Sequence, residues 1–151
     1  MPLVMVALTK GRMLVCGEIN PPPVNSDGYY GVYFSDKDDM SGKAKALKGT
    51  PLRVEHNLGI HVGEILQAWT TDGGAMWALA EIDVSKPQGA MTAAAVERGN
   101  FGGFSLGYTS KMQRDAATGR MRGGEKKIHE VSIVKEGAHK SCTISARSRP
   151  Y

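Results

Sequence analysis

The chain has 151 residues and a formal net charge of +4, with 41% hydrophobic and 23% charged residues. This length predicts one domain with a sizeable core over residues 1–151, in which 147–151 form a short tail. The composition excludes a disordered chain, and no run of about 18 apolar residues is present to form a membrane span. The N-terminus lacks the basic start and long apolar stretch of a secretory signal.

Two cysteines, Cys16 and Cys142, are too few for a disulfide framework, so we predict reduced thiols in an intracellular compartment. The chain contains no C-x-x-C pair of the kind that binds zinc, and we expect no metal.

Charge is unevenly distributed along the chain. Residues 1–97 carry 8 Lys+Arg against 11 Asp+Glu, whereas residues 98–151 carry 11 against 4. The basic half predicts either a solvated face with basic loops or contact with nucleic acid or an acidic partner. No aromatic residues interleave with these cations, as a stacking platform for nucleic acid would require.

Short β-type segments separated by turn signals make up most of the chain. The predicted strands are, in chain order, 12–19, 29–34, 52–56, 62–69, 76–84, 101–108, 128–134 and 142–146. The turn signal Asp72-Gly73-Gly74 predicts a hairpin between the fourth and fifth of these strands. Residues 115–124 are predicted to form a polar loop, and the basic stretch 120–127 a mobile loop.

Two helices are predicted. The first, over 38–47, has acids early and lysines late, an order that complements the helix dipole. The second follows Ser85 as the candidate N-cap, has Pro87 in its first turn, continues through 90–98 and ends at Gly99. Many short strands with one or two helices predict a small β-barrel or an α+β fold.

Three segments hold the residue types of nucleophilic catalysis: His56, the glycine-flanked Ser105, and the adjacent pair His129 and Glu130. A serine nucleophile needs a base for its proton and a third group that orients that base. Composition alone does not make this set specific, because such residues coincide by chance and the glycines could serve tight sheet packing.

These segments resemble the catalytic segments of the herpesvirus assemblin and tailed-phage prohead protease superfamily. Pro51-Leu52, His56 and the later Val62-Gly63 follow the family's pattern around the base histidine. Gly103-Phe104-Ser105-Leu106-Gly107 follows the nucleophile pattern of the phage branch. The segment Glu130-Val131-Ser132-Ile133-Val134, with Gly137 after it, is similar to the family's last strand. The resemblance covers roughly residues 12–146.

The resemblance implies a mainly β fold, a closed and mostly antiparallel β-barrel surrounded by a few α-helices. It also implies Ser105 as the nucleophile and His56 as the base. The third member is open: an ungapped alignment on Gly137 gives Glu130, whereas a one-residue bulge would give His129 and a Ser-His-His triad. Only one of the two neighbours can face the site along a strand, and a carboxylate stabilises an imidazolium better than a second imidazole does.

The resemblance places the oxyanion site just after the last-strand glycine, where the herpesvirus pattern has two arginines. This chain has Ala138 and His139 there. The first arginine acts through its backbone N–H, which Ala138 can supply, whereas His139 is a doubtful substitute for the second side chain. A solvated turn is the alternative for this stretch.

The implied function is that of a serine endopeptidase which cleaves the viral scaffold protein and its own precursor during procapsid maturation, without a metal or cofactor. The implied partners are these substrates, the capsid protein and a second copy of the chain, with no membrane. The implied location is the procapsid, in the host nucleus for a herpesvirus or the bacterial cytoplasm for a phage. The alternative is a non-catalytic domain of the same fold that binds scaffold protein or nucleic acid. The sequence leaves open the viral origin and whether the chain is an excised domain.

Overall fold

The computed structural model describes residues 11–22, 40–114, 116, 119, 121–137 and 140–148. Within these residues the elements are β1 (Arg12–Asn20), α1 (Met40–Lys45), β2 (Pro51–Val54), β3 (Gly63–Thr70), β4 (Met76–Asp83), α2 (Pro87–Glu97), β5 (Gly103–Arg114), β6 (Met121–Val134) and β7 (Ile144–Arg147). The predicted strand 29–34 and the start of the predicted helix 38–47 lie outside the described residues.

The described strands form one mixed sheet in the order β5-β6-β2-β3-β4-β1-β7. Only the pairing of β2 with β6 is parallel among them. The sheet curls until its two edge strands approach each other, where Gly103 bridges Thr143 and the Phe104 N–H donates to the Cys142 carbonyl at 3.0 Å. The predicted mainly β, mostly antiparallel fold is therefore confirmed. In the part of the chain described, the expected closure of the barrel is limited to these contacts and to the hydrogen bond from the Ile144 N–H to the Gly102 carbonyl at 2.9 Å, which leaves a half-barrel.

The core lies against one face of the curled sheet, because buried and half-buried side chains alternate along β1 and β4. Its largest fully buried side chains include Met13, Leu52, Met76, Phe104 and Ile133. Burial of each such side chain contributes roughly 1.5–3 kcal/mol. The strand that carries Ser105 is thus anchored in the core by the residue just before it.

Turn chemistry explains the β3–β4 hairpin, as predicted. The Thr71 N–H donates to the Ala75 carbonyl and the Gly74 N–H to the Thr71 carbonyl, both at 2.9 Å. Gly74 has φ 86°, a left-handed conformation that glycine adopts without steric cost.

The N-cap prediction for α2 is wrong by one residue. Lys86 occupies that position, and Pro87 is the first helical residue. The Ser85 hydroxyl and backbone N–H both donate to Asp83 Oδ1, at 2.5 and 3.1 Å, and so hold the turn after β4. The nearer carboxylate therefore binds the hydroxyl that was expected to cap the helix. Neither described helix is long and apolar enough to cross a membrane.

The predicted loops over 115–124 and 120–127 are also corrected. β6 begins at Met121, and the β5–β6 hairpin stays paired out to Arg114 opposite Met121. Backbone hydrogen bonds extend a two-stranded ladder regardless of side-chain polarity, so a polar and glycine-containing sequence does not exclude a strand.

Candidate active site

The register of the β5–β6 hairpin brings Ser105 and Glu130 to one face. Ser105 pairs with Ser132, and Gly107 pairs with Glu130. Residues directly opposite each other in an antiparallel pair point to the same face. A register shift does occur in this hairpin, between Gly107 and Tyr108 and opposite His129, but the pairing from Glu130 to Val134 is uninterrupted.

His56 reaches this face from the end of β2, which runs parallel to β6 with Arg53 beside Ser132. The two residues after the strand, Glu55 and His56, have φ values of 50° and 58°. The Glu55 N–H donates to the Ile133 carbonyl, and the His56 N–H to Ser132 Oγ, both at 3.0 Å. Such left-handed conformations cost non-glycine residues of order 1–3 kcal/mol each and concentrate at functional sites. This tight turn holds the imidazole over β6.

Three side chains form a continuous hydrogen-bonded chain. His56 Nε2 lies 2.9 Å from Ser105 Oγ, and His56 Nδ1 lies 2.5 Å from Glu130 Oε1. The Glu130 side chain is 7% exposed and that of His56 42%. With Nδ1–H donating to the carboxylate, Nε2 is the acceptor that faces the serine hydroxyl. The 2.9 Å distance suits proton transfer from Ser105 to His56.

Two further residues shape the surroundings of Glu130. The fully buried Ser132 donates its hydroxyl to Glu130 Oε2 at 2.7 Å. Gly107 leaves room for the carboxylate, since a Cβ at this position would lie 2.2 Å from Glu130 Oε1. Sequence reasoning missed both roles. The available signals were a hydroxyl two residues after the acid on one strand and a glycine two residues after the serine on the other.

His129, the alternative third member, lies elsewhere. It is exposed, and its Nε2 is 2.9 Å from Thr109 Oγ1. The structure thus brings Glu130, and not His129, to His56.

The predicted oxyanion residues, Ala138 and His139, lie outside the described residues. The turn before them is tied to the histidine turn, because the Lys135 N–H donates to Glu55 Oε1 at 2.9 Å. In the described part of the chain, no group of three or more His, Cys, Asp or Glu side chains is arranged to hold a metal ion.

By fold, the chain is similar to the protease of Kaposi's sarcoma-associated herpesvirus. Its structure with a hexapeptide phosphonate inhibitor matches with a TM-score of 0.60 and 14% identity, over 87% of this chain and 63% of that one. The structure with a dimer disruptor gives a TM-score of 0.55 and 15% identity, over 91% and 76%. A third, with an allosteric inhibitor, gives 0.52 and 15%, over 92% and 77%. No protein-family model and no curated protein matches the sequence. The comparisons show that this chain has the fold of a herpesvirus protease and spans 63% of the first of these chains.

Proposed function

We propose that the protein is a serine endopeptidase in which Ser105 is the nucleophile, His56 the general base and Glu130 the group that orients His56. The hydrogen-bonded chain from Ser105 through His56 to the buried Glu130 carries this proposal. It joins a nucleophile, a base and an orienting acid in the geometry that such catalysis requires.

The reaction is a two-step acyl transfer. Ser105 Oγ attacks the peptide carbonyl carbon, a C–O bond forms, and the hydroxyl proton passes to His56 Nε2. The C–N bond then breaks, and the leaving amine takes that proton. Water then attacks the acyl-serine carbonyl and gives a proton to His56. The bond between the acyl carbon and Ser105 Oγ breaks, the acid leaves, and His56 returns the proton to Ser105 Oγ. The Glu130 carboxylate, 2.5 Å from Nδ1, stabilises the imidazolium in both steps.

The proposed substrates are a viral scaffold protein and the precursor of this chain, cleaved as a procapsid matures. Two observations support this role: the resemblance of three motifs to capsid-maturation proteases, and the fold shared with a herpesvirus protease. The similar protease binds a dimer disruptor, which supports a second copy of this chain as a partner.

A fluorophosphonate probe tests the chemistry without knowledge of the substrate. We expect the wild-type chain to be labelled at Ser105, as mapped by mass spectrometry, and Ser105→Ala to remain unlabelled. A folded wild-type chain that resists the probe would favour the non-catalytic binding domain. Incubation with the scaffold protein, followed by mapping of new N-termini, tests the substrate class.

A further inference from the structure

Ser132 lies where the backbone of the base and the side chain of its orienting acid meet. Its side chain is fully buried, at 0% exposure. Its Oγ contacts the His56 backbone nitrogen at 3.0 Å and Glu130 Oε2 at 2.7 Å.

The donor and acceptor inventory fixes the direction of both bonds. A backbone N–H can only donate, so Ser132 Oγ accepts from His56. The single hydroxyl proton of Ser132 is then free to point at Glu130, and an ionised carboxylate can only accept. The result is a closed ring: His56 Nδ1 to Glu130 Oε1, Glu130 Oε2 to Ser132 Oγ, and Ser132 Oγ to the His56 N–H.

This ring holds His56 at its side chain and at its backbone. The carboxylate fixes the imidazole, while the Ser132 hydroxyl fixes the backbone of a residue in the left-handed region, at φ 58°. Without the hydroxyl, the His56 N–H and one Glu130 oxygen would lose a partner where the carboxylate side chain is only 7% exposed. Glu130 would then be free to rotate away from Nδ1, and His56 to leave its strained conformation.

We propose that Ser132 is a positioning residue for catalysis, which couples the orientation of the Glu130 carboxylate to the backbone conformation of His56. This inference rests on the proposed function of Ser105, His56 and Glu130. Outer hydrogen-bond partners that orient metal-bound histidines change activity by roughly 10–100-fold when they are mutated. We expect an effect of the same order for Ser132→Ala.

The test measures the kinetics of fluorophosphonate labelling. In this reaction Ser105 Oγ forms a P–O bond, the P–F bond breaks, and His56 takes the hydroxyl proton as fluoride leaves. A lost positioning contact lowers the maximal labelling rate constant while the probe concentration at half-maximal rate and the fraction finally labelled stay constant. Damage to the fold lowers the fraction labelled instead. Thr109→Ala is the matched control, because it removes a hydroxyl that contacts a histidine outside the ring around His56.

A conservative variant and a spectroscopic signal complete the design. Ser132→Thr keeps the hydroxyl and should retain most of the wild-type rate constant. The low-field NMR signal of the His56 Nδ1 proton should shift or broaden in Ser132→Ala and stay unchanged in Thr109→Ala. If Ser132→Ala does not fold, Ser132→Cys replaces it, since a thiol is of similar size but a weak donor.

The outcomes distinguish failure of the proposed function from failure of the positioning role alone. A wild-type chain that is never labelled overturns the proposed function. A labelled wild type with an equally fast Ser132→Ala overturns the positioning role alone. So does a folded Ser132→Thr that is as slow as Ser132→Ala, because packing rather than the hydroxyl would then set the rate.

Discussion

Two histidines lie beside strand β5, and each contacts a hydroxyl of that strand. His56 Nε2 lies 2.9 Å from Ser105 Oγ, and His129 Nε2 lies 2.9 Å from Thr109 Oγ1. The contacts are equal in length, but only His56 has a buried carboxylate behind its second nitrogen. A histidine–hydroxyl contact therefore does not by itself mark a nucleophile. The acid behind the base makes the difference.

The difference between the two histidines has a physical cause, namely the environment of the charge that would form during catalysis. Proton transfer to His56 would create an imidazolium beside a carboxylate that is 7% exposed, where water screens their attraction little. His129 and Thr109 are both exposed, and no ion pair of His129 is found in the described residues. Water would screen charge on His129 and leave the threonine hydroxyl unactivated.

The largest expected effect comes from removing the hydroxyl of each histidine–hydroxyl pair. Ser105→Ala should lower peptidase activity by on the order of 10³–10⁶, because the acyl intermediate forms on the Ser105 hydroxyl. Thr109→Ala should leave activity unchanged. Initial rates of peptide cleavage, with circular dichroism to verify folding, measure both. Near wild-type activity in Ser105→Ala would remove the proposed distinction between the two histidine–hydroxyl pairs.

Exchange of the groups that differ between the two histidine–hydroxyl pairs should have the next largest effect. Glu130→Gln keeps the shape but loses the charge that stabilises the imidazolium, and should reduce turnover by roughly 10²–10⁴. His129→Ala should have little effect, since its ring contacts Thr109, outside the Ser105–His56–Glu130 chain. Turnover numbers for the two variants decide the issue. The opposite ranking would mean that His129 is the third member of the triad.

A smaller effect should follow from filling the space beside the carboxylate. In Gly107→Ala the new Cβ would lie 2.2 Å from Glu130 Oε1, so the acid must move. A displacement of about 1 Å in such a group can cost about 10²-fold in rate. Gly102→Ala is the matched control, because its Cβ meets no atom closer than the Lys135 carbonyl oxygen at 3.9 Å. Equal labelling rates in both variants would show that the carboxylate position is not critical.

Local patterns were enough to predict much of this architecture. Alternation and a glycine turn located the β3–β4 hairpin, and strand 76–84 is observed as Met76–Asp83. The predictions failed where a distant or competing hydrogen-bond partner determined the local structure. Asp83 binds Ser85 in place of the helix end, and ladder pairing extends β6 into a stretch whose composition is typical of loops.

At the candidate site, too, local motifs were predicted and long-range contacts were not. The motifs named Ser105, His56 and Glu130, but no sequence pattern gives the parallel pairing of β2 with β6 that brings them together. That pairing joins residues far apart along the chain. The left-handed turn at His56 uses residues that rarely adopt it, so neither it nor the contact with Ser132 could be read from the sequence.

The smallest expected effect concerns a buried thiol that reports on strand β5, which carries both hydroxyls. The Cys142 carbonyl accepts a hydrogen bond from Phe104, next to Ser105, and burial raises the pKa of the Cys142 thiol to about 12. The thiolate is the reactive form, so iodoacetamide should not modify Cys142 in the folded chain at pH 8. Burial also raises the pKa of Cys16, which is only half-buried and should react slowly but first.

The raised pKa of Cys142 makes the free energy of unfolding depend on pH. In the unfolded chain the thiol ionises near its usual pKa of about 8.5, whereas the folded chain keeps its proton up to about pH 12. Between these values the folded state binds more protons, so the free energy of unfolding should fall as pH rises, and Cys142→Ala should flatten this slope. Denaturant unfolding at pH 8 and pH 10 measures this slope.

Protection of Cys142 from iodoacetamide in Ser105→Ala and Glu130→Gln would show that those variants lose chemistry rather than fold. Rapid alkylation would attribute their inactivity to an opened sheet and void the comparison of the two histidine–hydroxyl pairs.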